Sequence, residues 1–394
     1  MAASDGDDYT DFRSVQEVNI PYFTPKTYPE HGITETTISP IFRPLTIRGI
    51  TFCNRIFVSP MCMYSCAGDG MMTDFHVVHA GPFALRGAAL VTLEATAGLN
   101  SVQDAGLWSD DHIAPVKRVV DFIHSQSKHA AIQLQHAGPK ASICPPWLGL
   151  RTYGGFPGGV LAPTAESWND NYATPKEMTE EEIREVIEAF GQAAKRAVKA
   201  GCRIVAVHGA HGYLIHSFAS PASNKRADRW GGSFENRIRF AVEVTRSIRR
   251  KVPPETLLFW NISAVDWLPP GEGWELSDTL RFAPILAAEG IDMLDVSSGG
   301  TGWQPLVSIV VGQVVPLMKS FVGFPHAMTC RSERQYSWTK QLIRRGVLHA
   351  VSSVKTAKCM VEHSSCRLGV CLVYQTTISK YYLLSVFSHA QDNT

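Results

Sequence analysis

Beyond Pro40 the chain alternates between two hydrophobic rhythms. Short, nearly continuous apolar runs recur as RIFVSPM from Arg55, ALVTLEAT from Ala89, AAIQLQHAG from Ala130, RIVAVHGA from Arg203, LLFWNIS from Leu257 and MLDVSSGG from Met293. Their length, β-branched content and lack of a polar face predict strands covered on both sides. Between them lie patterns of helical period. The clearest is MTEEEIREVIEAFGQAAKRAVKAGC, where Ile183, Val186, Ile187, Phe190, Ala193, Ala194, Ala197 and Val198 fall on one stripe. Thr179 followed by Glu182 has the spacing of a capping box, and Gly201 supplies a left-handed stop. A second helix is predicted from near Ser233 through RIRFAVEVTRSIRR.

Strand–helix alternation of this kind means parallel strands joined by right-handed crossovers. Repetition of the unit without a GxGxxG turn after the first strand favours an α/β fold of the (β/α)8 TIM-barrel type over a doubly wound sheet. In such a barrel chemistry sits at the C-terminal strand ends, and Ser59, Cys62, Glu94, Gln133, His136, His208, His211, Ser297 and Ser298 all fall there. The seventh and eighth staves are not legible, although GVLHAVSSV and LGVCLVYQ have strand composition. The expected organisation is an extended arm over residues 1–39, a barrel over 40–319 and a divergent tail over 320–394.

Composition narrows the function classes. The 394 residues are 45% hydrophobic with a formal net charge of +1, enough for a sizeable core and no electrostatic reason to expect nucleic acid or an anionic membrane. The nine cysteines form no CxxC pair, which fits a reducing compartment better than a disulfide or zinc scaffold. The start, MAASDGDDYTDF, lacks a signal-peptide pattern, and no run reaches the ~18 apolar residues of a membrane helix. A cytoplasmic protein acting on a small molecule is expected.

The candidate chemistry centres on VHGAHGYLIHSFASPASNKRADRWGGSFENR, with His208, His211 and Tyr213 at one strand end. A zinc pair needs a third protein ligand, for which Glu94 and His136 are the candidates, so a metal-dependent hydrolase stays open. Alternatively, two neutral imidazoles can hold negative charge developing on a carbonyl oxygen, and a phenol can deliver a proton. That second set lacks a hydride source, which a cofactor must provide.

NRIFVSPMCMYS, IQLQHAG, the HGAHGY segment and VSSGG together resemble the old yellow enzyme family of FMN-dependent ene-reductases, in order from about Ile41 to Lys319. PMCMY and HGAH look like its thermophilic-like subgroup. The resemblance implies a barrel with FMN at the C-terminal face, NAD(P)H as reductant, and reduction of the C=C bond of α,β-unsaturated carbonyl compounds. By the same resemblance, Ser59, Pro60, Met61, Cys62, Ala95, Gln133 and Asn261 stand at cofactor-binding positions. Tyr64, His208, Gly209, Ala210 and His211 match substrate-binding positions, and Tyr213 matches the proton donor.

The chain departs from that family at three places. Asn261 stands where the family has an arginine at the flavin edge, and Pro139 precedes Lys140 where the family has Arg-Lys. After about Ser320 the Gly-Arg pair expected for the FMN phosphate is missing. A catalytically impaired barrel that has lost phosphate binding is therefore the alternative expectation.

Overall fold

Alternation within each strand sets where the core and the polar mouth lie. The computed structural model describes residues 40–98, 105–141, 159–170 and 172–301, and the backbone of 327–329. Among the described residues, seven parallel strands follow one another around a single curled sheet, β1 Phe57–Val58, β2 Leu90–Ala97, β3 His129–Gln135, β4 Ile204–Gly209, β5 Leu257–Ser263, β6 Met293–Ser297 and β7 Ala327–Thr329, and a two-residue strand, Ala105–Gly106, pairs with the end of β2 off this path. Each of the seven pairs with the next of the seven. That sequential order is barrel topology, since a doubly wound sheet reverses direction at a switch point.

The helices α1 Asp74–Leu85, α2 Ile113–Ser125, α3 Glu180–Lys199, α5 Phe234–Lys251 and α6 Leu276–Ala288 separate the strands, and a short α4, Leu214–Ala219, follows β4. Alternate strand residues such as Val91, Ile132, Leu134, Val205, Val207, Leu258, Trp260 and Leu294 join these helices in one large apolar cluster. The other set, with Ala131, Ile204, Ala206, Leu257, Phe259 and Met293, forms a second cluster inside the sheet. An antiparallel hairpin, Leu45–Ile47 with Ile50–Phe52, contributes all its buried side chains to that inner cluster and closes the N-terminal end. Two residues further along the inward register the strands turn polar, at Gln133, Gln135, His208, Asn261, Ser263 and Asp295. The barrel is thus plugged with hydrocarbon at one end and lined with donors and acceptors at the other.

The predicted α3 is present with its box: the Glu182 amide donates to Thr179 Oγ1, and the Thr179 amide donates to Glu182 Oε2. Gly201 takes φ +99° at the stop. α5 starts after Ser233, whose hydroxyl accepts the Asn236 amide. RIFVSPM forms a strand only at Phe57–Val58. Pro60 has no N–H to give a ladder, so pairing stops before it. The backbone of Ala327–Thr329 pairs with Leu294–Val296 as a seventh stave, inside the segment expected to be a divergent tail. The eighth stave, the arm over 1–39, and the composition-based strands near the C-terminus fall outside the described residues.

Candidate active site

His208 is the penultimate residue of β4 and its ring is buried. The Ala210 amide donates to His208 Nδ1 at 3.3 Å, so the neutral ring carries its proton on Nε2. Burial, then the neighbouring His211, His216 and Lys140, hold its pKa well below the ordinary 6.5. The imidazole is therefore an uncharged donor across the physiological range.

The chain then turns sharply. His211 takes φ +60° and Gly212 φ +72°, two consecutive left-handed residues. This turn brings the three rings together. His208 and His211 meet edge to face with centroids 5.2 Å apart, and the Tyr213 ring lies 4.6 Å from His208 at an interplanar angle of 32°. Neighbouring loops hold the turn. The His211 amide donates to Ser263 Oγ at 2.9 Å, and Ser263 donates to the Gly299 carbonyl at 2.7 Å. His211 Nε2 lies 2.6 Å from Ser297 Oγ. Gly300, at φ +104°, packs so closely that a Cβ there would come within 2.2 Å of the His211 carbonyl carbon. Gly138, in the turn after β3, is similarly pressed on the Leu214 backbone.

The remaining candidates surround this group. Gln133 pairs in register with Ala95 on one side and Ala206 on the other, and Asn261 stands opposite His208. Gln133 is 5% exposed, and its amide makes no hydrogen bond with the described residues. One Asn261 Nδ2 N–H donates to the Asp295 carbonyl at 3.2 Å. Ser59, Pro60, Met61 and Cys62 continue from β1. This segment is tied to β2 where the Met63 amide donates to Glu94 Oε2. Tyr64 occupies a left-handed turn at φ 52°. Gly209 lies against the Trp260 indole and Ala210 is wholly buried; the Ala210 carbonyl accepts the Tyr213 amide. These two residues shape the turn through their backbone.

Glu94 does not join the histidine pair. A bulge between Leu93 and Ala95 turns it towards α1, where Oε1 lies 2.7 Å from His76 Nε2. Among the described residues, the cluster of His, Cys and carboxylate atoms close enough for a metal is Cys66, His76 and Glu94, which excludes both His208 and His211. Even there the Thr73 amide donates to His76 Nδ1 at 3.0 Å, leaving a proton on the nitrogen that faces Glu94. His136 lies in the turn after β3 and accepts the Gly138 amide at Nδ1. The aromatic Trp147 and Tyr153, candidates for the entrance from their place in the loop after β3, lie outside the described residues.

The sequence named Ser297 only as a strand end and gave no role to Ser263, His216 or Asp266. His216 and Asp266 are both buried, with Nε2 and Oδ1 3.1 Å apart beneath the turn. A histidine inside the largely apolar LIHSFA of α4 was the available signal.

A model of the NADH:flavin oxidoreductase / NADH oxidase family matches residues 40–301. NADH:flavin oxidoreductase FG08077 of Gibberella zeae is 43% identical over 310 residues, covering 74% of this chain and 75% of that protein. NADPH dehydrogenase of Bacillus cytotoxicus is 43% identical over 264 residues, covering 66% and 71% respectively. Among solved structures, morphinone reductase superposes with a TM-score of 0.64 at 20% identity, covering 86% of this chain and 87% of that one. At that identity the likeness speaks for the barrel alone.

Proposed function

The chain belongs to the NADH:flavin oxidoreductase / NADH oxidase family, and we propose that it reduces the activated C=C bond of an α,β-unsaturated carbonyl compound. Membership makes it an NAD(P)H-dependent flavin oxidoreductase of the FMN-using type. The finer reading is carried by one observation: two imidazoles and a phenol are in ring contact at the barrel mouth, around a His208 kept neutral by burial.

The residues at the mouth fit FMN. Gln133 offers a buried amide with donor and acceptor unspent by the described residues, and Ala95 beside it is too small to block a flat ring. Ser59, Pro60, Met61, Cys62, Ala95, Gln133 and Asn261 would hold the group. When bound, FMN supplies hydride chemistry, with NAD(P)H as the source of the electrons.

The protein's own side chains do the rest. His208 and His211 hold the substrate's carbonyl oxygen. A neutral Nε2–H on His208 stabilises negative charge growing there, and one such donor is worth roughly 10²–10³ in kcat. Ser297 keeps the His211 ring in place for the same task. The Tyr213 phenol delivers its proton to the α-carbon. Tyr64 and Cys62 would meet the substrate, and Cys62 would also lie against the cofactor, as the resemblance implies.

Purified full-length protein is expected to show bound-flavin absorbance and to oxidise NAD(P)H faster when 2-cyclohexenone is supplied, with cyclohexanone formed. Protein that binds FMN and passes electrons from NAD(P)H to oxygen or a quinone, yet leaves enones unchanged, overturns the substrate assignment.

A second reading, an impaired barrel, is favoured by Asn261. One of its two amide N–H donors goes to the Asp295 carbonyl, and the charge expected at that position is absent. Colourless protein that FMN does not reconstitute selects it.

A further inference from the structure

We propose that Lys140, His216 and Asp266 form a positioning clamp on the single peptide unit joining His211 to Gly212, and so set where the His211 imidazole and the Tyr213 phenol stand. The inference rests on the reading of those two side chains as oxyanion donor and acid.

The peptide is gripped at both poles. Its carbonyl, on His211, accepts from Lys140 Nζ at 2.7 Å. Its N–H, on Gly212, donates to His216 Nδ1 at 2.9 Å. The residues on either side both have positive φ, a conformation that strains a residue carrying a Cβ such as His211. Left alone, such a turn relaxes by rotating the peptide plane, which moves the side chains on both sides. The clamp opposes that rotation by polarity. A flipped peptide would present its N–H to an ammonium and its carbonyl to an imidazole lone pair, each a repulsive pairing.

His216 can serve only in one tautomer. Because Nδ1 accepts the Gly212 amide, the neutral ring carries its proton on Nε2, facing Asp266 Oδ1 at 3.1 Å. That approach is not aligned as a hydrogen bond, but a buried carboxylate so close still favours the proton on Nε2. Asp266 is fixed in turn: its Oδ2 accepts from Ser220 Oγ at 2.6 Å and from the Trp274 amide at 2.8 Å. The Thr301 hydroxyl also reaches His216 Nδ1 at 3.3 Å. At the other pole Lys140 Nζ sits 4.1 Å from the centroid of Trp168, whose indole N–H donates to the Gly300 carbonyl at 3.0 Å. The groups come from the loops after β3, β4, β5 and β6, so the clamp joins four sides of the mouth to one peptide.

The test uses the full-length, FMN-loaded enzyme with His216→Leu, His216→Asn, Lys140→Met, Lys140→Arg and Tyr213→Phe. An asparagine oxygen reaches about as far as Nδ1 and can still accept the Gly212 amide. We expect His216→Leu and Lys140→Met to lower kcat for 2-cyclohexenone by about 10- to 100-fold, the scale of a small misplacement of reacting groups. KM for NAD(P)H and the rate of flavin reduction should stay within about twofold. Amide exchange across 210–214 should accelerate, while His216→Asn and Lys140→Arg recover most of the turnover. In the wild type, 15N resonances of His216 should show the proton on Nε2. A proton on Nδ1 alone, or unchanged kcat and exchange in the leucine and methionine variants while Tyr213→Phe is inactive, overturns the clamp and spares the functional reading. If Tyr213→Phe turns over normally, the functional reading fails instead, and the exchange data still decide whether the peptide is held. Should His216→Leu not fold, Lys140→Met and the wild-type tautomer carry the decision.

Discussion

Ser263 Oγ accepts the backbone amide of His211 at 2.9 Å from a residue 52 positions away, while its own proton goes to the Gly299 carbonyl. One fully buried hydroxyl therefore satisfies the turn after β4 and the loop after β6 together.

Ser263→Ala leaves both an amide and a carbonyl without that partner. Each unsatisfied buried group costs about 1–3 kcal/mol, so the variant should unfold at distinctly lower urea. Equilibrium denaturation followed by fluorescence measures this, and a midpoint equal to wild type would show that the two loops are held otherwise.

Tyr213→Phe removes the proposed acid and keeps the ring in contact with His208. A positioned general acid contributes roughly 10²–10⁴. Enone reduction should fall by that factor in stopped-flow, whereas flavin reduction by NAD(P)H should be nearly unchanged. Equal losses in both half-reactions would remove the phenol from its role.

Asn261→Arg restores a cation beside Asp295, its register partner on β6. A charge-assisted hydrogen bond exceeds a neutral one by about 1 kcal/mol, or roughly fivefold in affinity. FMN titration of the apoprotein should show tighter binding by about that factor. Weaker binding would mean that the asparagine suits the cofactor better than the family's arginine.

Acid should destabilise the fold through two histidines. Burial, then His211, His216 and Lys140, pull His208 well below 6.5, and burial pulls His136 to about 4. Both rings stay neutral in the fold and gain a proton on unfolding once pH drops below about 6.5. The unfolded state then binds more protons, so stability is full above about 6.5 and is lost as pH falls towards 4. Urea midpoints at pH 7.5 and 5 should differ less in His136→Gln than in wild type. The same acid slope in both would exclude His136 as a contributor.

Much of the barrel was readable in advance. β5 forms over the whole of LLFWNIS, and α3 begins at the capping box read from Thr179 and Glu182, because both signals are local: an apolar run or a cap needs only its neighbours in the chain. The cluster of His208, His211 and Tyr213 was legible for the same reason, being six consecutive residues on one strand end. Shortening of β1 at Pro60 was missed because composition was weighed above the lost donor.

What the sequence determined by itself is therefore the order of strands and helices, the polar strand ends, and the residue types that meet there. The tertiary structure alone decided that Glu94 turns to His76 and away from the histidine pair, that Asn261 gives one amide N–H to the Asp295 carbonyl, and that Lys140, 71 residues from His211, reaches that residue's carbonyl. Those outcomes depend on a bulge, a register and loops that meet only once the sheet has curled. Hydrogen bonds between distant polar residues leave no periodic trace in the chain.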